Sequence, residues 1–215
     1  MAEHRHEFQH ELDVIEDKVV ELFATVPEDL PRATSALLSN DSEVARELAD
    51  RDKLIDALYP TIEDLADREL LLQAPVAADL RFLISVLRVV PEIERSHDLV
   101  VGIARRASHI LSEDLSPRAR GLIEQMGNLG TDMWLQAIDC WRQRDRAASA
   151  ALDDRDDEMD ELFASLMTEL GAGRMALPVT IEMTLVARFY ERLGDHAVNI
   201  ARRVVYLAGH APRLA

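Results

Sequence analysis

Glu191-Arg192-Leu193-Gly194-Asp195-His196-Ala197-Val198-Asn199-Ile200-Ala201-Arg202-Arg203 has a near-copy ninety-seven residues earlier, Glu94-Arg95-Ser96-His97-Asp98-Leu99-Val100-Val101-Gly102-Ile103-Ala104-Arg105-Arg106. Eight of the thirteen positions are identical: the Glu, Arg, Asp, Val, Ile, Ala, Arg and Arg positions. Unrelated segments of this length would share roughly one, so the pair reads as an internal repeat and the chain as one unit used twice. Each copy carries two acids four residues apart, Glu94 with Asp98 and Glu191 with Asp195. On a helix that spacing stacks both carboxylates on one face.

A second repeat supports the first. Leu48-Ala49-Asp50-Arg51-Asp52-Lys53-Leu54-Ile55-Asp56 matches Leu152-Asp153-Asp154-Arg155-Asp156-Asp157-Glu158-Met159-Asp160 at an offset of 104, and again pairs acids at spacing four, Asp52 with Asp56 and Asp156 with Asp160. Such pairs are cheap in so acidic a chain, where composition alone yields about seven, so the weight lies in their recurrence at matched offsets. Residues placed symmetrically about a tight turn come side by side when two helices fold back on each other. Leu54 and Ser96 are symmetric about Pro75, and Glu158 and Leu193 about Met175 and Ala176, between the Gly171/Gly173 pair and Pro178. Both sets of acids therefore face each other across a helical hairpin. The offsets differ by seven, which makes the first hairpin longer by about one turn on each arm and preserves the facing.

The run Tyr190-Glu191-Arg192-Leu193-Gly194-Asp195-His196 with Asn199-Ile200-Ala201 resembles the signature of the PhoU family of phosphate-transport regulators, and Asp79-Leu80-Arg81 is similar to that family's first repeat. The resemblance covers nearly the whole chain. It implies an all-α fold of two tandem three-helix bundles related by an internal pseudo-two-fold repeat, spectrin-repeat-like, with residues 1–112 as the first bundle and 113–215 as the second. It also implies metal bound by Asp52, Asp56, Glu94 and Asp98 in the first half and by Asp156, Asp160, Glu191 and Asp195 in the second. Iron, manganese, zinc and magnesium are the candidate ions. The implied function is regulatory: a cytoplasmic, homodimeric protein that contacts the ATPase subunit of a phosphate ABC transporter and its sensor histidine kinase, repressing the phosphate-starvation response when phosphate is plentiful. The first copy departs from the pattern, with Ser96-His97 in place of an apolar-small pair, Gly102 where the second copy has Asn199, and Pro91 where it has Arg188.

Composition bounds these readings. The net charge is −16, from 24 basic and 40 acidic residues, which repels nucleic-acid phosphate and anionic lipid and attracts metal ions or a basic partner. At 48% hydrophobic the chain has ample core. The single cysteine, Cys140, beside Trp141, excludes an intrachain disulfide framework, which suits a reducing cytosol. Arg88 interrupts the apolar run from Leu83 to Val90, well short of the roughly 18 residues of a membrane span, and the N-terminus lacks the apolar core of a signal peptide.

Taken in order, Phe8, Leu12, Ile15, Val19 and Leu22 mark an amphipathic helix that Pro27 and Pro31 are expected to break into two pieces. The second helix starts at the cap around Asn40-Asp41-Ser42 and runs to about Leu72 with a kink at Pro60; the third runs from Pro75 to about Leu111, bent at Pro91. Ser116-Pro117 caps the fourth, weakened by Gly121, Gly127 and Gly130. The fifth spans Asp145 to Leu170, and the sixth runs from Pro178 to about Ala208. No strand pattern occurs.

Four carboxylates without cysteine form a hard, oxygen-rich set that suits iron(III), manganese, magnesium or calcium better than structural zinc. The competing reading makes them solvated helix faces neutralised by Arg51, Arg95, Arg155, Arg188 and Arg192. Arg188, one turn before Glu191, either positions that carboxylate or forms an ordinary ion pair with it. Glu94-Arg95-Ser96-His97 also spells the Glu-x-x-His of di-iron carboxylate bundles, echoed by Glu7 and His10, which keeps a ferritin-like oxidase open beside a metal-free helical adaptor. His97 aligns with Gly194, however, so the motif is not matched in the second half; there His97 is expected to lend a nitrogen donor to an unequal first site. No phosphate-binding glycine loop or nucleophile elbow is present, and Cys140 reads as a buried structural thiol.

Overall fold

The computed structural model describes residues 2–108, 114–145 and 148–209. Within them lie six α-helices and no strand: α1 Ala2–Ser39, α2 Ser42–Gln73, α3 Ala77–Arg105, α4 Pro117–Gln143, α5 Ala148–Gly171 and α6 Leu177–Leu207. Asp41 caps α2, its carboxylate accepting from the backbone N–H groups of Glu43 and Val44 at 3.0 and 3.1 Å. Ser116 caps α4 in the same way, and Pro117 opens that helix. Helices α1, α2 and α3 pack on one another as one bundle and α4, α5 and α6 as a second. The expected end of the third helix near Leu111 and the boundary between residues 112 and 113 fall outside the described residues; α3 itself ends at Arg105 and continues as a 3₁₀ turn over Arg106–Ser108.

The expected break in the first helix is absent. Pro27 and Pro31 lie inside a single 38-residue α1. A proline in a helix interior costs roughly 3 kcal/mol, through a lost hydrogen bond and a ring clash. Here the apolar stripe continues on both sides, with Leu22, Phe23, Val26, Leu30, Ala33 and Leu37 all inaccessible to solvent. Alpha1 is held against α2, α3 and α4 at once, and that burial outweighs the local defect. Pro60 and Pro91 are likewise accommodated inside α2 and α3.

The two bundles share one continuous core, joined by α1 against α4 and α3 against α6. Both contacts are antiparallel. Glu16 meets Arg144 at 2.7 Å while Arg120 reaches the carbonyl of Leu38, also at 2.7 Å. Ser96 meets His196 across α3 and α6 at 2.7 Å. Gly127 sets the closeness of the first contact, since a Cβ there would lie 2.6 Å from the Thr34 hydroxyl. That hydroxyl bonds the buried Tyr190 hydroxyl at 2.7 Å, and Trp134 donates its indole N–H to the carbonyl of Leu193 at 3.0 Å. Cys140, on α4, is buried, and burial pushes its thiol above the ordinary range.

Candidate metal centre

In the second half the hairpin of α5 and α6 brings the four repeated acids into one electrostatic neighbourhood. Burial, then the charges of Asp195 and Asp160, push the Asp156 carboxyl up to about 6, against a partial offset from Arg202. Burial and the Asp195 charge also raise Glu191, with Arg188 opposing them. Arg188 donates to Glu191 Oε1, while Oε2 is buried with no hydrogen-bond partner. A buried carboxylate oxygen without a donor is costly, and a cation facing it removes that cost. Gly194 lies under Asp156: a Cβ at that position would be 2.9 Å from Asp156 Oδ1 and 3.4 Å from Met133 Cε. The missing side chain keeps the carboxylate clear.

The first half gathers the same acids. Burial first, then the Asp98 and Asp56 charges, raises Glu94; burial, then Asp52 and Asp56, raises Asp98. Here, however, His97 is wholly buried and both of its ring nitrogens are engaged, Nδ1 with Asp52 Oδ1 at 2.8 Å and Nε2 with Asp29 Oδ2 at 3.0 Å. That corrects the expectation that His97 adds a nitrogen donor to this cluster. The same two bonds remove the ring from any di-iron set, and Glu7 and His10, the other pair of that spacing, are exposed near the start of α1.

Asp29 is the residue that sequence reasoning missed. It is inaccessible to solvent, and it receives Arg51 at 2.8 Å and Arg32 at 3.3 Å as well as His97. Burial works to raise its pKa, but the His97 hydrogen bond and the charges of Arg51, His97 and Arg32 together hold it below the usual carboxylate range. The signal was available: Asp29 falls between Val26, Leu30 and Ala33 on the apolar stripe of α1, where a carboxylate needs partners.

The second-half donor set fits a hard cation, being four carboxylates with one oxygen left unpartnered. Among the described residues no group of three or more His, Cys, Asp or Glu side chains is placed to hold a metal ion, so binding here would require these carboxylates to turn toward it. The first-half set fits less well, because Asp52 is committed to His97.

A duplicated protein whose described elements are all helical, with acid pairs facing across the long hairpin of each half, is the class that the fold and site define. A family model for the PhoU domain matches residues 19–107 and again 123–204, and the chain belongs to that family. It is 31% identical over 208 residues to phosphate-specific transport system accessory protein PhoU homolog 2 of Mycobacterium tuberculosis, covering 94% of this chain and 96% of the relative. It is 35% identical over 187 residues to homolog 1 of the same species, covering 83% and 82%. The crystal structure of PhoU from Pseudomonas aeruginosa superposes with a TM-score of 0.86 at 28% identity, over 93% of this chain and 98% of that one. No described helix is long and apolar enough to cross a membrane.

Proposed function

We propose that this chain is a cytoplasmic accessory regulator of phosphate-specific transport, acting by contact with the transporter's ATPase subunit and a sensor histidine kinase, with a divalent or transition metal bound in its second half. Membership of the PhoU family supports the regulatory role, because its relatives are named as accessory proteins of that transport system. The unpartnered Oε2 of Glu191 carries the metal reading. Asp156, Asp160, Glu191 and Asp195 would hold the ion, which supplies positive charge to a cluster whose members otherwise repel one another. Partner contact without turnover suits a second-half site built from four like groups, all carboxylates, since catalysis asks for unlike groups with separated pKa values. A surface of net charge −16 favours a basic partner face, so the association weakens as salt rises.

Replacing Glu191 and Asp195 together with alanine removes two of the four donors. Outer hydrogen-bond partners of metal ligands are commonly worth about 10- to 100-fold in affinity, and loss of two ligands costs at least that much. Mn²⁺ titration by calorimetry checks it, and unchanged affinity in the double variant overturns the assignment. Affinity should also fall as pH drops through about 6, because Asp156 must shed a proton that its surroundings hold. The sign follows from the raised pKa: in the metal-free fold Asp156 contributes least to stability above pH 6 and more once protonated below it, whereas bound cation favours the ionised form. Thermal melts with and without Mn²⁺ at pH 5 and pH 7.5 read this directly, the larger metal-induced rise in Tm being expected at the higher pH.

A further inference from the structure

We propose that His97 closes the first acidic cluster from within, so that this chain binds metal in its second half only. His97 occupies the place of Gly194, and Asp52 that of Asp156, at the offsets of the two repeats. In the second half Gly194 leaves no side chain beside Asp156, and even a methyl group there would press to 2.9 Å of Asp156 Oδ1. In the first half an imidazole fills that place and takes Asp52 Oδ1 at 2.8 Å.

The change is compensated on α1. Carried by the 104-residue offset, Asp29 stands where the second half has Met133. Met133 Cε approaches the Gly194 position to 3.4 Å, and Asp29 Oδ2 meets His97 Nε2 at 3.0 Å, so the two pairs occupy corresponding places. A histidine at position 97 alone would leave Nε2 facing an apolar side chain, at the cost of an unpaired buried group. With Asp29 present, and with Arg51 on its other oxygen at 2.8 Å, both ring nitrogens of His97 and both oxygens of Asp29 are partnered. Both ring nitrogens face carboxylate partners, which leaves neither open to a metal, and Asp52 is drawn into the core hydrogen-bond chain. The orphaned oxygen shows the same contrast: Glu191 Oε2 is buried without a partner, and no oxygen of the corresponding Glu94 is in that state. Substituting two positions together, in contact on different helices, has exchanged an external cation site for an internal hydrogen-bond chain.

This inference rests on the metal reading of the second half for its count of ions, and the experiment separates the two. The full chain, His97→Gly and the paired Asp29→Met/His97→Gly are stripped with chelator, dialysed against Mn²⁺ and analysed for metal per chain, with circular dichroism to establish folding. The paired variant reproduces the second half's own residues, which guards against a fold lost through an unpaired Asp29. The folded variants are expected to hold about twice the metal per chain of wild type, the added metal being lost again on Glu94→Ala/Asp98→Ala. A wild type with no ion and a variant with one would defeat the second-half reading and uphold this one. Wild-type metal that falls on Glu94→Ala/Asp98→Ala, or no gain in either folded variant, would overturn it.

Discussion

Trp134→Ala is expected to lower stability by about 3–5 kcal/mol, the range for truncating a large aromatic in a packed core. Trp134 is inaccessible to solvent, lies 6.1 Å from the Phe23 ring of α1, and ties α4 to α6 through its bond to the carbonyl of Leu193. Alanine cannot fill the space, and the neighbours are themselves fully packed, so the site collapses only partly. The measurement is urea unfolding followed by circular dichroism, with a lower midpoint and an unchanged slope. For a chain of this length each kcal/mol is worth about 2–4 °C in Tm, so a fall of roughly 10 °C accompanies it. Because Leu193 immediately precedes Gly194 and Asp195, Mn²⁺ affinity in the second half should decline as well. A loss of stability below about 1 kcal/mol would show that the two bundles are not joined through this ring.

Asp29→Ala is expected to be nearly as severe, at about 3–5 kcal/mol, for a different reason. The carboxylate holds His97, Arg51 and Arg32, and deleting it strands the Nε2 side of a fully buried imidazole. Breaking one member of a buried charged set costs far more than replacing the whole set with apolar groups. The paired Asp29→Met/His97→Gly variant should therefore be more stable than Asp29→Ala alone, and a double-mutant comparison measures the coupling. The pH dependence gives a second check. Asp29 has a depressed pKa in the fold, so its contribution is fully present above the ordinary carboxylate value of 3.8 and is lost as pH falls below it. The stability gap between wild type and Asp29→Ala should hold from pH 7 to about 5 and shrink toward pH 3. A gap that stays constant down to pH 3 would rule out the ionised carboxylate as its source.

The duplication, the helical class and the pairing of acids across each hairpin were determined by the sequence alone. Identical residues at offsets of 97 and 104 report ancestry, and a spacing of four on a helix has only one geometric meaning. Caps at Asp41 and Ser116 were legible for the same reason, since the side chain that closes a helix end is adjacent to it in the chain. The survival of α1 through Pro27 and Pro31 was decided by tertiary packing, because the local penalty is visible in the sequence and the burial that exceeds it comes from three other helices. The fate of His97 was decided the same way. Beside Glu94 it reads as a ligand, and only folding brings Asp29 from 68 residues away and Asp52 from 45 to occupy its two nitrogens. A hydrogen bond between residues so far apart leaves no periodic trace in the chain, so the mismatch of His97 with Gly194 was legible but its consequence for Asp52 appears only once α1 packs against α2 and α3.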